Sequence, residues 1–86
     1  MVEHFFLQIE KESKKYVISV TCTRHSFHAE YDISILSFPD FELLGSARLD
    51  LMNNHFETRE DQIAPQHHDL FAKVKGYLLE RRQNSK

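Results

Sequence analysis

Three consecutive stretches of this chain alternate apolar and polar residues with period two, and a later stretch changes to helical spacing. Tyr16 to Arg24, Phe27 to Ser37 and Phe41 to Leu51 read as strands, because successive side chains of an extended backbone point to opposite faces. Phe5, Leu7 and Ile9 give a shorter first strand with the same alternation. Leu70, Phe71, Val74, Tyr77 and Leu78 then recur as one helical stripe, with Pro65 pre-organised for the first turn. The expected fold class is α+β: a four-stranded antiparallel meander followed by a C-terminal amphipathic helix packed on one sheet face (ββββα).

Residues 1–86 fit one small α+β domain, with 83–86 expected as a frayed tail. The charged run Glu10 to Lys15 reads as a solvated hairpin loop, and Asn53 to Ala64 as an irregular segment anchored by Phe56 and Ile63. A two-residue turn at His25-Ser26 would set Cys22 opposite Ala29, Val20 opposite Tyr31 and Ile18 opposite Ile33. His-Ser suits a tight turn poorly, and a four-residue loop would keep the same parity. A three-residue loop, Phe38 to Asp40, would set Glu30 opposite Arg48 and His28 opposite Asp50. Gly45 and Ala47 are small and mark where a crossing helix approaches the sheet.

The apolar face in this reading holds Phe5, Leu7, Tyr16, Ile18, Val20, Phe27, Tyr31, Ile33, Phe41, Leu43 and Leu49. Four strands span roughly 14–15 Å between outer axes, and one helix covers about 10–12 Å. The uncovered remainder points to a homodimer.

The formal net charge of −2 argues against a general nucleic-acid-binding role, which needs a basic face. Cys22 is the single cysteine, it falls on the apolar face, and no intrachain disulfide can form. A reducing compartment follows. The start, Met-Val-Glu-His-Phe-Phe, lacks the basic end and apolar segment of a signal peptide. With no apolar run of membrane-spanning length either, the expected location is cytoplasmic, without a membrane partner.

No nucleophile elbow, phosphate loop, dinucleotide fingerprint or HExxH pattern is present, so neither enzymatic activity nor a cofactor is expected. Phe6, Val17, Phe38 and Leu44 fall on the otherwise polar sheet face and gather at one end. Apolar residues beside acidic ones suit a protein partner of unknown identity. The first functional expectation is therefore a small non-enzymatic protein-binding or regulatory module, acting through self-association and this mixed surface. The alternative is nucleic-acid binding through the basic loop and helix, using Lys11, Lys14, Lys15, Lys73, Arg81 and Arg82. The second alternative is metal binding by sheet-face residues His4, His28 and Glu30, in a chain with six histidines.

Overall fold

The computed structural model describes residues 1–53 and 55–84, with the side chains of 82–84 outside that description. It contains a five-stranded antiparallel sheet in sequential order: β1 (Val2–Lys11), β2 (Lys14–Arg24), β3 (Ala29–Ser37), β4 (Leu43–Met52) and β5 (His55–Ile63). A 3-10 turn, Pro65–His67, leads into α1 (His68–Asn84). The α+β class and the helix-on-sheet layering are as expected, and the strand count is five rather than four.

The additional strand, β5, occupies the segment expected to be irregular. Its only apolar anchors, Phe56 and Ile63, lie an odd number of positions apart, so strict alternation would send them to opposite faces. A bulge resolves this. Leu49 pairs with Thr58 and Arg48 with Glu60, leaving Arg59 as the inserted residue. Phe56 and Ile63 then both face the core, opposite Leu51 and Gly45.

The charged run Glu10 to Lys15 is mostly strand. Lys11 pairs with Lys14 across a two-residue turn in which Glu12 and Ser13 have φ of 53° and 64°. Positive φ at both positions matches the right-handed twist of the flanking strands. The β2–β3 connection uses four residues, with Arg24 opposite Ala29 and the His25 N–H donating to the His28 carbonyl at 2.9 Å. The register therefore moves by two: Cys22 faces Tyr31, Val20 faces Ile33 and Ile18 faces Ile35. Parity is kept, so each residue stays on its expected face.

The β3–β4 register also moves by two, placing Asp32 opposite Arg48 and Glu30 opposite Asp50. At the turn the ladder shifts again. Ile35 pairs with Gly45 but Leu36 with Leu43, leaving Leu44 as the inserted residue. The turn between them contains a cis Phe38–Pro39 bond and is tied by hydrogen bonds from Ser37 N–H to the Glu42 carbonyl and from Glu42 N–H to Ser37 Oγ.

The core lies between the inner sheet face and the helix. Ile18, Val20, Ile33, Ile35, Leu49 and Leu51 meet Leu70, Phe71, Val74 and Leu78, all nearly inaccessible. Phe5, Leu7, Ile9 and Tyr16 pack partly buried at its margin. Tyr77, expected in the buried stripe, is instead 43 % exposed. Phe27, Phe41 and Leu43, expected on the inner face, are exposed: Phe27 sits on the four-residue connection, and the bulge at Leu44 sends Leu43 to the other side. The helix, with Phe56 and Ile63 of β5, covers the middle of the inner face, while Phe5, Leu7, Ile9 and Tyr16 at its margin stay partly exposed. Gly45 is tight against β5 rather than the helix, since a Cβ there would stand 3.1 Å from the Gln62 carbonyl oxygen and 3.2 Å from Ile63 Cα.

The helix runs back along β1. Lys11 reaches Asp69 at 3.5 Å near its start, and Arg81 reaches Glu3 at 2.8 Å near its end while lying 4.1 Å over the Phe5 ring. Of the expected frayed tail, Gln83 and Asn84 continue the helix, and residues 85 and 86 lie outside the described residues. Among the described residues, no helix is long and apolar enough to cross a membrane.

Candidate functional site

The outer sheet face, left open by the helix, is divided in character along the strands. One end is apolar. Val17, Leu36 and Leu43 form a row of direct cross-strand neighbours, and Phe6 lies one row along, opposite Ser19. Phe6 is 63 % exposed and Leu43 60 %. The β3–β4 turn extends this end with Phe38 and Phe41, whose rings meet edge-on at 6.0 Å. Phe41 is exposed although its φ is 57°, a conformation that disfavours a bulky side chain. Lys15 stands 5.9 Å over the Phe38 ring.

Three of the residues singled out for partner binding therefore belong to this end: Phe6 and Val17 on the face, Phe38 in the turn. Leu44 does not. As the inserted residue of the bulge it packs against the core and, with Phe38, Tyr16 and His67, lines a cleft of about 640 Å³ beside the 3-10 turn. Sequence reasoning missed Phe41 and Leu43 here, because an unbroken alternation assigns them to the inner face.

The other end of the outer face is charged. Asp32 accepts from Arg48 Nε at 2.9 Å. That hydrogen bond, and then the Asp32 charge, raise the Arg48 guanidinium further above its already high ordinary value. Glu30, Asp50 and Glu57 face one another across three strands. Like charges so placed repel. The β5 bulge supplies the answer for Asp50, whose largely buried carboxylate accepts from Arg59 Nε. The bond and the charge of Asp50 likewise raise Arg59.

Of the residues considered for metal binding, His28 and Glu30 come together and His4 does not. His4 Nε2 is 3.0 Å from Ser19 Oγ, and its ring meets Phe6 edge-on at 4.8 Å. The third member is His25, brought in by the four-residue connection. His25 Nε2 and His28 Nε2 lie 3.5 Å and 3.8 Å from Glu30 Oε1, and the two rings stack with centroids 4.5 Å apart. The spacing of His25 and His28 in sequence is the signal that could have found this trio.

The residues considered for nucleic-acid binding are spread over the molecule. Lys14 and Lys15 lie at the start of β2, and Lys73 is exposed on the helix. Lys11 is paired with Asp69, and Arg81 is paired with Glu3 and stacked on Phe5. The Arg81 guanidinium is raised chiefly by its bond to Glu3. The side chain of Arg82 is outside those described.

Comparisons with protein-family models, with curated proteins and with solved structures returned no match.

Proposed function

We propose that this protein is a small non-enzymatic protein-binding module whose docking surface is the apolar end of the outer sheet face. One observation carries the reading: Phe6, Phe38, Phe41 and Leu43 stay exposed beside Val17 and Leu36, on the side of the sheet away from the helix. Contiguous apolar side chains rimmed by charge are the anatomy of a protein interface. The bulge at Leu44 and the left-handed backbone of Phe41 both serve to keep apolar groups in solvent, at a cost to the fold. Self-association through this surface is one form of the proposal. The buried free thiol of Cys22 suits a reducing compartment, and a cytoplasmic location belongs to the same proposal.

Native mass and partner capture test this reading. The full chain should self-associate with concentration or retain a protein partner, and Leu43→Asp and Phe6→Asp should abolish either behaviour while Lys73→Ala leaves it intact. Phe41→Gly should stabilise the fold by about 0.5–1 kcal/mol, by relieving the left-handed residue, and weaken binding. Association unchanged in Leu43→Asp would remove this surface from consideration. Salt-sensitive binding to DNA or RNA, lost in Lys14→Ala and Lys15→Ala, would favour the nucleic-acid alternative.

A further inference from the structure

We propose that His25, His28 and Glu30 form a zinc-type transition-metal site on the β2–β3 hairpin, independent of the apolar docking surface. The three side chains each offer one ligand atom, and these atoms lie within 4.8 Å of one another. Bonds of about 2.0–2.1 Å to zinc place tetrahedral ligand atoms about 3.3 Å apart. The two nitrogen-to-oxygen separations, 3.5 Å and 3.8 Å, are close to that value before any side chain moves. The two rings, stacked 15° from parallel, would rotate apart so that both in-plane lone pairs converge on a shared ion.

The backbone holds these donors in place. His25 and His28 sit at the two ends of the connection, joined by the hydrogen bond from His25 N–H to the His28 carbonyl. Glu30 belongs to β3 itself, locked between Thr23 and Asp50 in the ladder. A hairpin clamped on both sides loses little further freedom on binding an ion. Two imidazoles with a carboxylate select zinc and its neighbours, whereas magnesium and calcium prefer all-oxygen surroundings.

The charges around the trio are mixed. Glu30, Asp50 and Glu57 form a row of three carboxylates with Arg59 as the guanidinium bound to Asp50. Asp50 is thus neutralised by an arginine, while Glu30 is met by two imidazoles. Arg48 and Arg59 also act on Glu30 through their charge, so the case for an ion rests on the donor geometry. Phe27, 88 % exposed between the two histidines, and Arg24 line the same shallow recess. Three protein donors leave a fourth position to water or to a donor from another molecule.

Titration of chelator-stripped full chain with zinc chloride tests the site. One zinc should bind per chain, magnesium chloride should give no binding, and His25→Ala, His28→Ala and Glu30→Gln should each weaken zinc binding about tenfold or more. His4→Ala should stay within about twofold of wild type, since its ring is engaged with Ser19. Ring signals of the wild-type protein give a readout that no folding defect can confuse. Zinc should shift His25 and His28 and leave His4 and His67 unmoved. Absence of zinc uptake, uptake that survives the His25→Ala and His28→Ala double variant, or ring shifts centred on other histidines would each overturn the assignment.

Discussion

The inner and outer faces of the sheet are made by alternate residues of the same strands, and they carry opposite burdens. Inside, Ile18, Val20, Ile35, Leu49 and Leu51 are wholly buried, and what matters is apolar volume. Outside, Asp32 with Arg48, and His4 with Ser19, make exposed polar pairs, and what matters is which side chain meets which. Burial contributes most of the stability of such a small domain, whereas solvated pairs contribute little. The outer face is consequently free to carry chemistry and docking, and the inner face is not.

Substitutions can break or sharpen this contrast. The largest effect is expected inside: Leu49→Ala should cost about 2–5 kcal/mol, read as a lowered urea midpoint with an unchanged denaturant slope. A loss below about 1 kcal/mol would mean that the inner face does not carry the fold. Next comes Gly45→Ala, where the added methyl meets the backbone of Gln62 and Ile63 on β5. Overpacking of that kind costs about 1–3 kcal/mol, and its detection in the same titration would confirm that β5 closes the sheet at this point. The smallest effect belongs outside. Asp32→Asn should lower the midpoint slightly in low salt and match wild type within error in high salt, because salt screens an exposed pair. A large, salt-independent loss would show that the outer face is structural after all.

The same contrast explains what could be read from sequence. A register error of two residues leaves every side chain on its own face. The inner residues of β2 and β3 were therefore legible even though both hairpin registers are displaced by two. Cross-strand partners do not survive such a displacement. Arg48 meets Asp32 rather than Glu30, Asp50 meets Arg59 rather than His28, and Glu30 gathers His25 rather than His4. Bulges defeat even the parity argument. Leu44 turns inward and Leu43 outward because one residue is inserted in β4, and Phe56 and Ile63 share a face only because Arg59 is inserted in β5. The insertion in β4 leaves no mark in the alternation, and the insertion in β5 leaves only the odd spacing of Phe56 and Ile63, in a strand that offers mostly polar residues on both faces.

The sequential strand order has a consequence for the order of folding. Each strand pairs with its neighbour in the chain, so every step of the sheet closes only a short loop. The helix is held by ties of another scale, with Lys11 and Asp69 separated by 58 positions and Glu3 and Arg81 by 78. Closing spans of that length costs about 2–3 kcal/mol more in chain entropy than closing a tight hairpin. The hairpins are therefore expected to zip first and the helix to dock last, against a sheet whose apolar side stays bare until the final segment arrives.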